Sequence, residues 1–238
     1  MMKTIRRLAV GLALVAGLCG SEAWMATANA GIYVPKGLKI GQSYHLAFVT
    51  NGTRDATSND IADYDAFVQS AADAAGLGAS EGVEWYAVGS TATVQAIDHV
   101  PVDAPVYLLK GDRYLAKDAT AFWTGSWGKS MYLNVDEYGN SVKKPYDVWT
   151  GSKNAGERSW ELGGPDSNCN YTRTDQNGST WLSYGLGKDL TAKLHFYAVS
   201  EKLTFAPPPA VPEPSALSLW ALIASSAIAF GWFRNRKR

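Results

Sequence analysis

DIADYDAFVQSAADAA, residues 60–75, is the clearest helical pattern in the 238-residue chain. Its apolar residues recur at steps of three and four, which places them on one face of a helix: Ile61, Tyr64, Phe67, Val68, Ala71, Ala72 and Ala75. Ser58, Asn59 or Asp60 can cap its start, and glycines follow its end at positions 76 and 78. The pattern predicts one amphipathic helix with a single apolar stripe.

Three carboxylates, Asp60, Asp63 and Asp65, lie at the start of this helix. Calcium prefers several carboxylate oxygens, but the glycine and the distal glutamate of an EF-hand loop are absent at their offsets. Carboxylates in the first turn also interact favourably with the helix dipole. We therefore interpret them as helix-start residues and predict no metal site.

Short strands surround the helix in sequence. Tyr44–Thr50 is rich in β-branched and aromatic residues and precedes it. The strands predicted after it are Val83–Val88, Thr91–Ala96, Val106–Leu109, Met131–Val135, Tyr146–Thr150, Trp181–Tyr184 and Leu194–Val199. Residues 151–179 are rich in Gly, Asn and Ser, and Gly185–Gly187 is interpreted as a turn. The predicted fold class is α+β, one helix-containing antiparallel β domain with long irregular loops.

Tryptophans are numerous, and two of them open a repeated Trp-Thr-Gly-Ser motif, at Trp123 and at Trp149. Each copy is explained by an aromatic core residue followed by a turn that needs glycine. An alternative stays open, because exposed aromatic rings are stacking surfaces for sugars and peptides. The candidate ligand surface on that alternative consists of Trp123, Trp127, Trp149 and Trp181.

Charge is distributed unevenly along a chain that has 22 Lys and Arg against 22 Asp and Glu. Residues 1–30 hold three basic residues and one acid, and residues 211–238 hold four and one. Residues 31–210 therefore keep 15 basic against 20 acidic residues, a net charge near −5. An acidic domain lacks the positive surface that nucleic acids require, so we predict no nucleic-acid partner.

Motifs for catalysis or cofactor binding are absent. The sequence has no Gly-x-Ser-x-Gly, Walker or dinucleotide motif and no closely spaced zinc-ligand pair, so we predict no cofactor and no catalytic residue. Carboxylates brought together by the fold could still hydrolyse polysaccharide, and Glu84, Asp147 and Glu161 lie nearest to tryptophans in sequence. Cys169 is either buried or paired with another chain, since Cys19 lies in a segment that we expect to be removed.

Both chain ends have targeting patterns. Residues 1–30 combine Lys3, Arg6 and Arg7 with an apolar run and an Ala-Asn-Ala cleavage pattern, which predicts a secretory signal peptide. Residues 31–206 then form the extracytoplasmic domain, and residues 207–214 a proline-rich linker. An uncharged apolar segment follows, which predicts a transmembrane helix over residues 215–233. The basic end, residues 234–238, would stay cytoplasmic.

The order of parts in the tail is specific. Pro212-Glu213-Pro214 precedes the single span, and four basic side chains end the chain: Arg234, Arg236, Lys237 and Arg238. This tail resembles the PEP-CTERM sorting signal. The resemblance implies export, an inner-membrane precursor, processing by an exosortase-type sorting protease, and a final location at the cell surface or outside the cell.

The body of the chain carries a second resemblance. Its series is Leu46–Thr50, the acid-capped helix, Gly111-Asp112-Arg113, Phe122–Ser126, Glu137-Tyr138-Gly139, Val148–Ser152, Trp181–Ser183 and Tyr197–Thr204. This series resembles secreted bacterial proteins of undefined activity whose fold looks like the C-type lectin or endostatin type. The resemblance implies a helix packed on twisted antiparallel strands, with a long irregular loop region. Calcium-dependent sugar binding does not carry over, because the paired cysteines and the Glu-Pro-Asn motif of animal C-type lectins are absent.

Three classes of function follow from these observations. The favoured one is a non-catalytic surface or extracellular-matrix binding module, with polysaccharide as a candidate ligand. The alternatives are a secreted polysaccharide hydrolase and a structural matrix subunit that self-associates, for which Cys169 is a candidate contact.

Overall fold

The computed structural model describes residues 32–78, 82–128 and 130–206. The predicted signal peptide, residues 1–30, and the predicted linker, transmembrane helix and basic tail, residues 207–238, lie outside the described residues. None of the helices in the described ranges combines the length and the apolar character needed to cross a membrane.

The central strand of the sheet is β1 (Ser43–Val49), whose run of apolar side chains is buried from Tyr44 onward. Such a run is typical of a strand that is covered on both faces. It pairs in parallel with β3 (Val106–Leu108) and antiparallel with β8 (His195–Ser200).

The remaining strands extend this centre in both directions. They are β2 (Trp85–Ala87), β4 (Tyr114–Ala116), β5 (Asp147–Trp149), β6 (Asn168–Arg173), β7 (Gly185–Asp189) and β9 (Leu203–Thr204). The order across the sheet is β4-β3-β1-β8-β5-β6-β7, with β2 also paired to β8 and β9 to β1. Apart from β1–β3 and β5–β8, the strand pairings in the described ranges are antiparallel. The α+β class with a mostly antiparallel sheet is thereby confirmed.

The main helix, α1 (Ile61–Ala74), begins and ends close to its predicted limits. Asp60 caps it, since its side chain accepts a hydrogen bond from the Ala62 N–H at 3.0 Å. Tyr64, Val68 and Ala72 are buried on one stripe, and Tyr64 stacks on Phe196 of β8 with ring centroids 5.1 Å apart. The periodicity in the sequence therefore identified the face that packs against β2 and β8.

Within the described ranges two shorter helices follow, α2 (Ala96–His99) and α3 (Ala119–Trp123), with 3-10 turns at Asn154–Gly156 and Gly178–Thr180. The predicted strand Thr91–Ala96 is wrong, since Thr91 forms only a single bridge to Leu162 and Ala96 begins α2. The serine preceding that segment explains this outcome, because Ser90 Oγ accepts a hydrogen bond from the Ala96 N–H and bends the chain.

Four predictions in the C-terminal half are also wrong. Met131–Val135 is not a strand, since only Val135 pairs, in an isolated bridge to Ser141. Trp181–Tyr184 is not a strand, Gly185–Gly187 belongs to β7, and β6 lies inside the passage predicted to be irregular. The sequence pattern did not predict β6 because its inward-facing residues include Asn170 and Thr172, which are buried but polar. Both make internal hydrogen bonds, Asn170 to the Ser152 carbonyl and Thr172 to the Thr180 carbonyl.

The two Trp-Thr-Gly-Ser motifs confirm the turn that their glycines predicted. Gly125 and Gly151 have φ angles of 66° and 55°, in the left-handed region that favours glycine. A Cβ atom on Gly125 would overlap the Gly178 carbonyl, and one on Gly151 would overlap the Ser90 carbonyl. Each motif is thus a core tryptophan followed by a turn without room for a side chain.

Candidate functional site

The tryptophans predicted as a possible ligand surface lie mainly inside the core. Trp123, Trp149 and Trp181 expose 5, 0 and 0 % of their surface, and Trp127 is partly buried against Trp181, with ring centroids 5.0 Å apart. Burial is inexpensive for two of them because their indole N–H groups have partners: Trp181 donates to the Trp123 carbonyl and Trp149 to the Ala192 carbonyl. The buried Trp127 N–H has no hydrogen-bond partner among the described residues. These side chains do not form an exposed stacking surface, and their interpretation as core residues is correct.

An open groove lies instead at the β3–β4 end of the sheet. It has a volume of about 640 Å³, and we call it the tyrosine groove. Its functional groups are Lys36, Gln42, Tyr107, Asp112, Arg113 and Tyr114. Sequence reasoning did not select these residues as a site, although Asp112 and Arg113 are part of the body resemblance.

A ladder of tyrosines leads from the core to this groove. Tyr44 on β1 meets Tyr107 on β3 edge-to-face, and Tyr107 meets Tyr114 on β4 in the same way, each with ring centroids 6.3 Å apart. Edge-to-face contact is a favoured geometry for aromatic pairs. Tyr44 and Tyr107 are buried, whereas Tyr114 is 51 % exposed. The exposed ring is therefore held in place by the core beneath it.

Asp112 connects the groove to the start of the domain. Its carboxylate accepts hydrogen bonds from the Tyr33 hydroxyl at 2.5 Å and from Lys36 Nζ at 2.9 Å. These bonds lower the pKa of Asp112 below its usual value, and the bond from Tyr33 has the largest effect. Burial and the Asp112 carboxylate raise the pKa of Tyr33 to about 12. At neutral pH the carboxylate is charged and the phenol is protonated, as the hydrogen bond between them requires.

Arg113 differs from its neighbours, because it makes no ion pair or hydrogen bond to the other described residues. Its guanidinium can therefore donate to a ligand. An exposed aromatic face beside a free guanidinium and a carboxylate suits a ligand that has one apolar face and a polar rim.

The carboxylates nearest to tryptophans in sequence are elsewhere. Asp147 pairs with Lys188, Glu84 accepts a hydrogen bond from Tyr86, and Glu161 is partly buried. None of the three lines the tyrosine groove. The fold thus does not bring them together there as a hydrolytic pair.

The acids at the start of α1 each have a separate protein partner. Asp60 caps the helix, Asp63 accepts from the Ser58 hydroxyl at 2.6 Å, and Asp65 pairs with His99 at 2.9 Å. Across residues 32–78, 82–128 and 130–206, no group of three or more His, Cys, Asp or Glu side chains is arranged to hold a metal ion.

Cys169 is fully buried in β6, and burial raises the pKa of its thiol far above the usual value. A buried, protonated thiol is a poor nucleophile and cannot reach another chain. Its burial removes Cys169 as a contact for self-association. No family model matches this chain, and no curated protein does either.

Proposed function

We propose that this chain is an exported, exosortase-processed surface or extracellular-matrix protein that binds polysaccharide without cleaving it, through the tyrosine groove. The observation that carries the proposal is the exposed Tyr114 ring, fixed on the Tyr44–Tyr107 ladder beside Arg113, whose guanidinium has no partner among the described residues. Pyranose rings have apolar C–H faces and hydroxyl rims, which match an aromatic face flanked by charged hydrogen-bonding groups. The acidic net charge of residues 31–210 favours a neutral polysaccharide over a polyanion.

The fold proposed for this function is C-type-lectin-like. Three features support it: the first strand pairs with the last two, α1 packs against β2 and β8, and most of the chain between β4 and β8 is irregular. Paired chain ends leave the intervening loops free to vary and to carry binding residues.

Binding is tested by native affinity electrophoresis of the full-length chain in a mild non-ionic detergent, in gels that contain hydroxyethyl cellulose, amylose or alginate. We expect retardation by a neutral polysaccharide. Tyr114→Ala should weaken binding about tenfold, the effect of losing one well-packed aromatic contact. Tyr138→Ala is the matched control, because Tyr138 is 45 % exposed but does not line the groove.

Three results would contradict the proposal. Equal retardation of the Tyr114 and Tyr138 variants would remove the groove as the binding site. Release of reducing sugar ends would favour the hydrolase, and no retardation together with concentration-dependent assembly would favour the structural subunit.

Export is tested separately in the native host. We expect Glu213→Gln, or deletion of residues 234–238, to leave an unprocessed precursor in the inner membrane, because each removes one part of the sorting pattern. Lys202→Gln is a control outside that pattern. Normal release of the Glu213 variant and of the deletion variant would refute the sorting-signal proposal.

A further inference from the structure

Trp160 is the one tryptophan in the described part of the chain with more than a third of its surface in solvent, at 41 %. Its φ angle is 44°, a left-handed conformation that a bulky residue adopts at a cost of about 1–3 kcal/mol. The Trp160 carbonyl accepts the Asn170 N–H at 2.8 Å, which fixes this backbone to β6. The fold therefore holds a large aromatic ring outward in a strained backbone, and core packing does not explain it.

The ring of Trp160 lies against β7, the edge strand of the sheet. A Cβ atom on Gly187 would come within 2.7 Å of Trp160 Cζ3, and one on Gly185 within 2.5 Å of the Tyr171 hydroxyl. Two glycines at alternate positions thus let two aromatic rings lie directly on the strand. We call this surface, formed by Trp160, Tyr171, Tyr184, Gly185 and Gly187, the glycine platform.

Two cations lie over tyrosine rings of the glycine platform. Lys188 Nζ lies 4.6 Å from the Tyr171 ring centroid and forms an ion pair with Asp147. The Arg173 guanidinium lies 5.5 Å from the ring centroid of Tyr184, a residue that is 46 % exposed. An apolar protein partner would bury these charges at a large energetic cost. A saccharide would instead stack on the exposed Trp160 ring and exchange hydrogen bonds with the charged groups.

The two aromatic surfaces lie at opposite edges of one sheet. Tyr114 belongs to β4 at one end of the strand order, and the glycine platform to β7 at the other. Six interstrand steps of about 4.8 Å separate these edges by roughly 29 Å along the sheet. At this separation the two surfaces can bind separate polysaccharide chains at the same time.

We propose that the glycine platform is a second saccharide-binding site and that the domain bridges polysaccharide chains through its two edges. The inference rests on the proposed function only for the class of ligand. Two weak sites on one domain give an avidity that neither has alone. A bridging protein would cross-link a matrix rather than merely coat it.

The test uses the full-length chain and beads coated with hydroxyethyl cellulose, and it measures both retardation in affinity gels and bead clustering. Trp160→Asn removes the ring but keeps a residue that tolerates a positive φ angle, so the fold is preserved. Trp160→Phe keeps an aromatic ring as the rescue variant, and thermal unfolding verifies that each variant is folded. Tyr114→Ala and the Tyr114→Ala/Trp160→Asn double variant complete the set.

We expect each single loss to weaken retardation about tenfold and to abolish clustering, and the double variant to show no binding. Trp160→Phe should restore more than half of the clustering. If the Trp160→Asn variant clusters beads as well as the wild-type protein does, the bridging inference is overturned, but the tyrosine groove is still supported as a binding site. Loss of all binding in Trp160→Asn, with normal binding by Tyr114→Ala, would overturn the groove and bridging but support the platform.

Discussion

Replacing Gly151, the glycine of the second Trp-Thr-Gly-Ser motif, by alanine should destabilise the fold strongly. Its φ angle is 55°, and an alanine Cβ atom would overlap the Ser90 carbonyl and approach the Leu162 nitrogen to 2.7 Å. Those two atoms are joined by a hydrogen bond of 2.9 Å, so neither can move without breaking it. The substitution therefore adds both backbone strain and steric overlap.

The two costs can be given separate magnitudes. The left-handed conformation costs alanine about 1–2 kcal/mol, and the lower entropy of the unfolded chain returns about 0.4–1 kcal/mol. Inserting a methyl group into a packed site costs about 1–3 kcal/mol. The net loss for Gly151→Ala is then about 3 kcal/mol. Gly76→Ala isolates the backbone part, because Gly76 has a φ angle of 74° but nothing within 4 Å of the added atom.

Thermal unfolding of the full-length chain, followed by near-ultraviolet circular dichroism of the tryptophans, measures the difference. One kcal/mol shifts Tm by about 2–4 °C in a domain of this size. We expect Gly151→Ala to lower Tm by roughly 6–12 °C and Gly76→Ala by no more than about 4 °C. Equal shifts in the two variants would refute the packing argument, since the overlap would then contribute nothing.

Two further predictions concern buried titratable groups. Burial raises the pKa of Glu137, whose carboxylate also accepts a hydrogen bond from the Asn51 N–H. The folded state therefore binds the carboxyl proton of Glu137 more tightly than the unfolded state does, and it loses stability as pH rises above the usual carboxyl pKa. Glu137→Gln should raise the urea midpoint at pH 7 but not at pH 4, and an equal gain at both pH values would contradict a charge effect. Cys169 should resist iodoacetamide at pH 8 in the folded chain and react fully in guanidinium, as measured by mass spectrometry of its peptide. Rapid labelling without denaturant would contradict its burial.

The features that the sequence predicted correctly are local ones. The limits of α1 follow from a repeat of three and four residues and from the Asp60 cap, all within one segment. The turns after Trp123 and Trp149 follow from glycine's access to positive φ angles. Strand β1 follows from its β-branched, aromatic and other apolar residues, chiefly Leu46–Val49. Each of these depends on residues within about a dozen positions of one another.

Tryptophan exposure could not be predicted in the same way, because it depends on distant partners. The Trp181 N–H is satisfied by the Trp123 carbonyl, 58 residues away, and this contact removes the cost of burying the N–H group without a partner. The partners of Asp65 also could not be predicted from nearby sequence. It looked like a helix-dipole residue, but its carboxylate accepts the Ala87 N–H and pairs with His99. Its position on α1 was predictable and its partners were not.

The tyrosine groove depends on strand register, which no local pattern specifies. The parallel pairing of β1 with β3 sets Leu46 opposite Tyr107, and this alignment brings the Tyr44 and Tyr107 rings together. A shift of one residue would turn Tyr107 to the opposite face of the sheet and leave Tyr114 without support. The sequence contains every side chain of the site, but the site exists only because α1 and the following loops return the chain to β1 in this register. A variant that slipped the register would therefore lose the proposed saccharide site while keeping each strand.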